Sequence, residues 1–372
     1  MKVLVTGAGG FIGSAVVAEL CARGHEVVGV DAFIPQAHGS GVATGLAASN
    51  GSNGSNGSTV DHVDVRDGEA VTSHLDGVDV VCHQAAMVGA GVTVADLPSY
   101  AGHNDLGTAV LLAAMAECGV GRLVLASSMV VYGEGRYTCP THGVRVPAAR
   151  ARADLDAGRF DNQCGDCGAS LGWALVPEGG PLDPRSGYAA SKVAQEHYAA
   201  AWARQAGGAV VALRYHNVYG PGMPRDTPYS GVAAMFRSAL ARHEAPRVFE
   251  DGQQMRDFVH VHDVARANAA AAEAVAGPEL GPELGPELGS GSRSFRAYNI
   301  CSGAPVSIAE VARQVVLGSG VRTTPVVTGE YRPGDVRHIV ASPALAADEL
   351  GFSAQVPPEQ GLRDFATAPL RG

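Results

Sequence analysis

Short apolar runs alternate with segments of helical periodicity along the first 215 residues of the chain. The run "KVLVT" (2–6) leads through glycines into "FIGSAVVAELCARG" (11–24), whose apolar positions recur at helical spacing. Because the runs are apolar throughout, each predicted strand should be covered on both faces. The pattern therefore predicts an α/β fold with a doubly wound, parallel Rossmann sheet. The other predicted strands cover 26–31, 60–65, 78–86, 122–128 and 209–215, and the other predicted helices cover 104–118 and 186–206.

The alternation loosens after about residue 217, where Pro-rich loops, a helix near 229–243 and shorter pieces follow. We expect a dinucleotide-binding domain over 1–216. The remainder, 217–372, is expected to form a smaller substrate-binding lobe that is partly interwoven with it and faces the strand ends.

Composition narrows the class of partner. A net charge of −10 and a pI near 5.7 argue against non-specific binding to nucleic acid or to an anionic membrane, so a small molecule is the expected partner. The opening "MKVLVTG" begins a strand at once and no apolar run approaches the ~20 residues of a membrane span, which predicts a cytoplasmic protein. Two low-complexity segments, 49–58 and 277–289, hold too few apolar side chains to offset the entropy of ordering and are predicted to be mobile surface loops.

The glycines of "GAGGFIG" (7–13) stand between a predicted strand and a predicted helix. Gly7 would permit the tight turn, Gly10 the approach of a pyrophosphate and Gly13 close helix packing, with the helix N-terminus supplying N–H donors. Asp31 ends the next strand about 20 residues on, where a carboxylate accepts from ribose hydroxyls and repels a 2′-phosphate. The motif predicts binding of NAD rather than NADP. The alternative is a plain turn with Asp31 as a strand-end cap.

Tyr188 and Lys192 in "SGYAASKVAQEHY" lie four apart, hence on one helix face. A tyrosine serves as a general base near neutral pH only if its pKa falls from about 10, and Lys192 and an oxidised nicotinamide are the expected cations. The 27 basic residues include only two lysines, Lys2 and Lys192, and a planar guanidinium would be a poorer substitute for a compact ammonium. An ordinary surface pair is the alternative for an isolated YxxxK.

At this point the chain resembles the extended short-chain dehydrogenase/reductase superfamily, and among its members the nucleotide-sugar epimerases of the UDP-galactose 4-epimerase type. The likeness covers nearly the whole chain. It is carried by "GAGGFIG", "DVRD" (64–67), "ASSMVVYG" (126–133), "YAASK" (188–192), "LRYHNVYGP" (213–221), "RDFVHVHDVARA" (256–267) and "RPGD" (332–335).

The resemblance implies roles for residues at matching positions. Ser128 would hydrogen-bond the reacting hydroxyl beside the catalytic Tyr188 and Lys192. Substrate would be held by Asn217, Phe249, Arg256, Arg332 and Asp335, since guanidinium groups bind phosphate oxygens bidentately. NAD would be contacted by Gly7, Gly10, Phe11, Ile12, Gly13, Asp31, Asp64, Val65, Gln84, Ala85, Ala86, Asn104, Ser127, Tyr188, Lys192, Tyr215 and Val218.

The implied activity is epimerisation, in which Tyr188 removes the proton of the sugar 4-hydroxyl, hydride passes to NAD, and the 4-keto sugar turns and is reduced on its other face. Dehydratases of the superfamily carry an acidic residue after the catalytic Ser or Thr, whereas Met129 and Val130 cannot shuttle a proton. A 4-ketoreductase and a non-catalytic NAD-binding regulator remain alternatives. His216 could contact substrate or be structural, and relatives are often dimers through two helices, one of them carrying Tyr188.

Seven cysteines divide into two groups. Cys21, Cys82, Cys118 and Cys301 each stand alone in apolar surroundings, as ordinary buried thiols do. The others lie in an insertion, 136–180, longer than such epimerases usually need between Ser128 and Tyr188. There Cys139 and His142 form CxxH, and Cys164 and Cys167 form CxxC after a spacer close to that of zinc ribbons.

Four such ligands predict a closed, structural zinc site, because a short insertion with few large apolar residues needs the metal to fold. A redox CxxC, a nucleic-acid zinc finger and coincidence are the competing interpretations. We expect the insertion to form a lid or rim over the substrate pocket.

Overall fold

The computed structural model describes residues 1–34, 38, 59–89, 93–225, 231–277 and 294–371. The strands are β1 (Lys2–Thr6), β2 (Glu26–Asp31), β3 (Val60–His62), β4 (Val80–His83), β5 (Arg122–Ser128), β6 (Arg136–Cys139), β7 (Gly143–Arg145), β8 (Gly172–Ala174), β9 (Ala209–Tyr215), β10 (Asn217–Tyr219), β11 (Arg247–Val248), β12 (Met255–Arg256), β13 (Phe258–His260), β14 (Phe295–Ile300), β15 (Val306–Ser307) and β16 (Val326–Val327).

The α-helices span Phe11–Ala22, Gly68–Thr72, Leu97–Tyr100, Gly107–Glu117, Arg152–Asp156, Gly187–Ala206, Val232–Ala241, Val261–Ala276, Ile308–Ser319, Ala344–Leu350 and Pro358–Phe365. Two 3₁₀ turns cover Val94–Asp96 and Met129–Tyr132, and a π-helical turn covers Ala101–Leu106.

Seven parallel strands form the main sheet in the order β3-β2-β1-β4-β5-β9-β14, which confirms the doubly wound α/β prediction. The order reverses between β1 and β4. Since the connections from these two strands leave in opposite directions, a crevice opens at their carboxyl ends, where ligands of such sheets bind.

Both faces of the sheet are covered by apolar layers. On one face, Val16 and Leu20 of the first helix pack with Val264 of the helix Val261–Ala276. On the other face, Met115 and Trp202 belong to the cluster that covers the strands. This double covering explains why the strand sequences are apolar throughout instead of alternating.

β14 joins the main sheet beside β9 although it belongs to the predicted C-terminal lobe. The helix Val261–Ala276, also from that segment, packs against the sheet. The domain boundary at residue 216 stays a prediction. These two elements come after it in the chain but pack with the Rossmann sheet. The helix predicted near 229–243 is confirmed over Val232–Ala241, within the described part of that range.

Some predicted elements end earlier in the structure. The strand predicted over 60–65 stops at His62, and that predicted over 78–86 is paired only over Val80–His83. The residues that follow each of these two strands belong to the same apolar run, but they line a cleft and do not pair with a neighbouring strand. The helix predicted over 104–118 is α-helical over Gly107–Glu117 and begins as the π-helical turn.

The insertion contains a small antiparallel sheet in the order β7-β6-β8. Of the four isolated cysteines, Cys82 and Cys301 are buried as expected and Cys21 is half-buried. The prediction was wrong for Cys118, which is exposed because it follows the last turn of the helix Gly107–Glu117 at the surface.

Among the described residues, no helix is both long and apolar enough to cross a membrane. The low-complexity segments 49–58 and 278–289 lie outside the described residues.

Candidate active site and a Cys/His cluster

A cleft with about 580 Å³ of free space opens at the carboxyl ends of the central strands. Eight predicted cofactor residues line it: Gly7, Gly10, Asp31, Asp64, Val65, Gln84, Ala85 and Ala86. The sequence reasoning missed Ala32, Ile34, His38, Val63, Met87 and His103. Val63 and Met87 continue apolar runs already noted, whereas His103 had no signal beyond its position before Asn104.

The glycine-rich loop fits tightly between β1 and the first helix. Gly7 has φ of +69°, and a Cβ there would lie 2.6 Å from the Ala85 nitrogen. A Cβ on Gly13 would lie 1.9 Å from the Gly7 carbonyl oxygen. A larger residue at either position would push the loop away from the helix. With glycine there, the helix that begins with Phe11 and Ile12 can present its N-terminal amides at the cleft.

Asp31 is buried at the end of β2. Its carboxylate accepts hydrogen bonds from the backbone nitrogens of Gly9 at 3.0 Å and Phe33 at 2.7 Å, and lies 3.2 Å from Nε2 of His38. The carboxylate thus holds the glycine-rich loop while lining the cleft, and its negative charge stands where the sequence analysis placed it.

Arg371 makes a contact that the sequence could not show, because it links residues near opposite ends of the chain. Its guanidinium donates to the Gly9 carbonyl at 2.6 Å. Backbone hydrogen bonds with Met223 and Arg225 hold Arg371 in place. The C-terminal segment therefore supports the glycine-rich loop from the side of the C-terminal half.

Ser128, Tyr188 and Lys192 are brought together as predicted. Ser128 ends β5, and Tyr188 lies in the first turn of the helix Gly187–Ala206, whose start is capped by Ser186. The Ser128 side chain lies near enough to Tyr188 to act on the pKa of its phenol. The ammonium of Lys192 donates to the Ala126 carbonyl at 2.9 Å and lies 5.9 Å from the centre of the Tyr188 ring.

The titration of this pair differs from expectation. Burial raises the pKa of Tyr188 to about 12, an effect that the Ser128 hydrogen bond opposes. Burial lowers the pKa of Lys192 to about 7, which the nearby Glu196 opposes. The expected lowering of the Tyr188 pKa by Lys192 is therefore not found, because burial favours the neutral form of both groups.

Glu196, one turn beyond Lys192, was missed in the sequence. It pairs with Arg214 at 2.7 Å, and both side chains are almost fully buried. The Ser127 hydroxyl donates to the same carboxylate at 2.5 Å, so this predicted cofactor residue is engaged with the protein. The pair anchors the Lys192 helix to β9 and to the end of β5.

Asn104 is likewise engaged inside the protein. Its side-chain amide accepts from the Met87 nitrogen at 2.7 Å and donates to the Met87 carbonyl and to the hydroxyl of Ser191. It thereby fixes the cleft wall against the Tyr188 helix.

Residues at the carboxyl end of β9 lie between the cleft and the predicted substrate residues of the C-terminal half. The Tyr215 hydroxyl lies 3.1 Å from the side-chain oxygen of Gln84, a cleft residue, and 2.9 Å from that of Asn268, so its one proton is shared between two acceptors. His216 is buried, and neither of its ring nitrogens finds a partner among the described residues. Burial, reinforced by Arg256, lowers the pKa of His216 to about 3, so the ring is neutral. The Asn217 side-chain oxygen is also without a described partner, and Val218 lies beside it in β10.

The predicted substrate residues of the C-terminal half lie close together. The Arg332 guanidinium lies 5.2 Å from the centre of the Phe249 ring. Arg256 donates to the carbonyls of Met255, Val336 and Arg337, so it also secures the segment after Asp335. Burial raises the pKa of Asp335, against the influence of Arg332, Arg256 and Arg150.

The four predicted metal ligands converge. Their ligand atoms all lie within 4.8 Å of one another. The sulfurs of Cys139 and Cys167 are 3.7 Å apart, and Nδ1 of His142 lies 3.5 Å from the sulfurs of Cys139 and Cys164. A disulfide requires about 2.05 Å. A tetrahedral zinc ion with Zn–S near 2.3 Å and Zn–N near 2.05 Å requires about 3.8 Å between sulfurs and about 3.6 Å from sulfur to nitrogen, close to these three spacings.

The surroundings of Cys164 favour a thiolate. Backbone N–H groups, that of Asp166 foremost, together with His142, lower the pKa of the Cys164 thiol to about 6. Hydrogen bonds with the two sulfurs raise the pKa of His142.

The fold and the cleft define a dinucleotide-binding α/β protein with a Ser-Tyr-Lys site. A profile of the NAD dependent epimerase/dehydratase family matches residues 3–147 and 175–283. The chain belongs to this family. The unmatched stretch, 148–174, contains the CxxC half of the Cys/His cluster.

Individual relatives agree. The chain is similar to the dTDP-L-rhamnose 4-epimerase of Burkholderia thailandensis, at 30% identity over 98% of this chain and 94% of the relative. Its structure is similar to that of a Thermus thermophilus UDP-glucose 4-epimerase in complex with NAD, with a TM-score of 0.70 and 30% identity over 98% of both chains. A UDP-glucose 4-epimerase from Thermotoga maritima with UDP-glucose gives a TM-score of 0.73 at 26% identity, over 98% of this chain and 97% of that chain.

Proposed function

We propose that this protein is an NAD-dependent epimerase of nucleotide-diphosphate sugars that inverts the hydroxyl at C4. The observation that carries the proposal is the convergence of Ser128, Tyr188 and Lys192, with the Lys192 ammonium 5.9 Å from the centre of the Tyr188 ring, in a chain of the NAD dependent epimerase/dehydratase family. Similarity over nearly the whole length to several 4-epimerases supports the choice among the family's reactions.

NAD fits the cleft on two observations. The loop at Gly7 and Gly13 leaves no room for a Cβ, as a loop that wraps a pyrophosphate requires. Asp31 presents a buried carboxylate that would repel a 2′-phosphate. NAD bound there would supply the hydride acceptor and donor for C4 of the sugar.

The chain's own residues manage the proton and the position of the sugar. Tyr188 accepts the proton of the 4-hydroxyl and gives it back after the keto sugar has turned, while Ser128 orients the reacting oxygen. Because burial disfavours the phenolate, Tyr188 requires a nearby positive charge to act near neutral pH, and the oxidised nicotinamide is the cation suited to this. Lys192 positions the site through Ala126 and adds charge when protonated.

The nucleotide part of the substrate would be bound on the C-terminal side. We assign this role to Phe249, Arg256, Arg332 and Asp335, which lie together, and to Asn217 at the start of β10, whose side-chain oxygen is unpaired among the described residues.

A panel of UDP-, dTDP-, GDP- and CDP-sugars, incubated with purified protein without added NADH, tests the reaction. Formation of a C4 epimer supports the proposal. A requirement for external reductant would instead indicate the 4-ketoreductase, loss of water the dehydratase, and inertness of every sugar a non-catalytic NAD-binding regulator. Elimination is disfavoured by Met129 and Val130, which are apolar where an acid would be needed.

We also propose that Cys139, His142, Cys164 and Cys167 bind a structural zinc ion. All four positions of a tetrahedron are supplied by the protein, which leaves no open position for a reacting molecule. Metal analysis of the purified protein should give one zinc per chain, and Cys118→Ser, which alters an exposed thiol outside the cluster, should not change it.

We further propose a homodimer in the cytoplasm. Exposed apolar side chains near the Tyr188 helix and the neighbouring helix Gly107–Glu117 support self-association: Leu97, Leu106 and Tyr198 are 44%, 53% and 46% exposed. Light scattering on the wild type and on Leu106→Glu tests this, with a dimer expected for the first and a monomer for the second.

A further inference from the structure

The insertion has a very small apolar core of its own. One buried cluster consists of Tyr137, Cys139, Cys164 and Leu171, so two of its four members are predicted metal ligands. Outside this cluster Leu155 and Phe160 are buried as well, whereas Val146 and Trp173 are exposed. With so little area to bury, the fold of this region depends on its ligands being held together.

Two residues next to the ligands converge on the carboxylate of Glu134, which is buried. Tyr137, two residues before Cys139, donates its hydroxyl to Oε2 of Glu134 at 3.1 Å. Asn162, two residues before Cys164, donates its side-chain nitrogen to the same oxygen at 3.1 Å. Both halves of the Cys/His cluster are therefore tied to one acceptor.

The same oxygen of Glu134 also accepts from the backbone nitrogen of Arg337 at 3.0 Å. The next nitrogen, that of His338, donates to the Tyr137 hydroxyl at 2.9 Å. Through these two bonds Glu134, which precedes the insertion, and Tyr137, which belongs to it, fix the backbone of residues 337 and 338, shortly after the predicted nucleotide residues Arg332 and Asp335.

Ion pairs add a second layer of contact. The Arg337 guanidinium, 1% exposed, reaches Asp161 of the insertion at 2.9 Å and Glu250 at 2.9 Å. From the insertion, Arg150 donates to Glu250 at 2.8 Å and to the carbonyl of Asp335 at 2.7 Å. Since Phe249 precedes Glu250, the insertion contacts the chain at Asp335 and next to Phe249.

Arg256 completes the connection from the other side, because its guanidinium donates to the carbonyls of Val336 at 2.7 Å and Arg337 at 2.9 Å. Segment 332–338 is thus held between the insertion and the strand β12.

We propose that the zinc-held insertion positions segment 332–338, so that zinc occupancy sets the affinity of the enzyme for the nucleotide part of its substrate. This inference rests on the proposed function, namely zinc at the cluster and nucleotide binding by Arg332 and Asp335. It makes Tyr137 and Glu134 positioning residues, which act through the segment and touch neither substrate nor cofactor.

The cofactor side provides the internal reference. None of the described residues that line the cofactor cleft belongs to the insertion. Loss of zinc should therefore weaken nucleotide binding while NAD content stays unchanged, a separation that general unfolding would not produce.

The experiment uses the full-length protein and, as probes, UDP, dTDP, GDP and CDP, from which the tightest ligand of the wild type is taken. Binding is measured by calorimetry in wild type, Cys167→Ser, Tyr137→Phe and Arg159→Ala, with zinc and NAD content determined on each sample. Arg159 is the matched control, because it lies in the insertion, is largely exposed and pairs only with Asp154 in the described structure.

We expect Cys167→Ser to lose zinc and to bind the nucleotide at least tenfold more weakly with unchanged NAD content. Tyr137→Phe, which keeps all four ligands, should retain zinc and bind several-fold more weakly, with a raised KM and little change in kcat. Arg159→Ala should match the wild type.

Unchanged nucleotide affinity in both Cys167→Ser and Tyr137→Phe overturns the inference, even if the sugar panel shows epimerisation. Loss of NAD together with nucleotide affinity in Cys167→Ser also contradicts it, since the effect would then be general unfolding. If the variants behave as expected but no sugar is epimerised, the inference stands and the proposed activity fails.

Discussion

The cofactor cleft and the Cys/His insertion are two polar sites in one chain that are stabilised by different means. Around the cleft, a seven-stranded sheet is covered on both faces by buried apolar clusters, and these hold Lys192 and Glu196 out of water. The insertion has strands of three or four residues and a cluster of four buried residues. A large core can position and desolvate charged groups, whereas a small one needs ligands and ion pairs to keep its shape.

The largest expected effect comes from the chemistry that the large core supports. Tyr188→Phe removes the proton acceptor and should lower kcat by about 10²–10⁴-fold, the usual contribution of a general base. Tyr198→Phe, an exposed position on the same helix, should keep wild-type turnover in the same assay. Comparable kcat values for Tyr188→Phe and the wild type would remove the phenol from the mechanism.

Next comes the buried ion pair beneath the site. Glu196→Gln leaves the Arg214 guanidinium without its counter-charge and should cost about 3–5 kcal/mol of unfolding free energy, as the loss of one partner of a buried pair does. Urea unfolding measures this. The surface pair Arg313–Glu310 is the control, and Glu310→Gln should change stability by no more than about 1 kcal/mol.

Metal removal should affect the insertion far more than the sheet. After treatment with a strong chelator, limited proteolysis should produce new cuts within 136–180 while cleavage elsewhere in the chain stays unchanged, because the apolar layers of the sheet do not depend on the ligands. Equal protection of the insertion with and without zinc would show that it folds by packing and ion pairs alone.

The pH dependence sharpens the comparison on the cofactor side. Tyr188 has a pKa raised to about 12 by burial, so the neutral phenol is the dominant form at neutral pH and kcat should rise with pH as the base ionises. An oxidised nicotinamide nearby adds a positive charge that lowers this pKa. Difference absorbance titration of wild type against Tyr188→Phe should therefore give a lower midpoint for protein loaded with NAD⁺ than with NADH, and identical midpoints would contradict the assigned source of charge.

The smallest expected effect concerns Arg371. Arg371→Ala removes one hydrogen bond to the Gly9 carbonyl and should increase the rate of NAD release several-fold without abolishing turnover. Release can be followed by the loss of bound NAD on dilution. Arg322→Ala is a control in the same half of the chain, and it should not alter the rate.

The sequence predicted what depends on local pattern. The apolar runs predicted the parallel sheet. The sequence spacing predicted that Tyr188 lies near Lys192 and that the CxxH lies near the CxxC. The sequence could not predict contacts between segments that are far apart in the chain. These are the pairing of β14 in the main sheet, the Arg371–Gly9 hydrogen bond, and the position of Glu134 between the insertion and residue 337. The pKa of Tyr188 in the protein without NAD could not be predicted from the sequence, because the burial that raises it depends on the whole fold; its lowering by an oxidised nicotinamide stays a prediction.

The account depends most on hydrogen leaving C4 of the sugar and returning to it within one enzyme-bound cycle. The direct measurement uses the sugar nucleotide turned over in the panel, labelled with deuterium at C4 and incubated in ordinary water without added cofactor. Mass spectrometry and NMR of the epimer should show the deuterium retained at C4. Epimer in which that deuterium has been replaced by hydrogen from solvent would contradict hydride transfer through retained NAD.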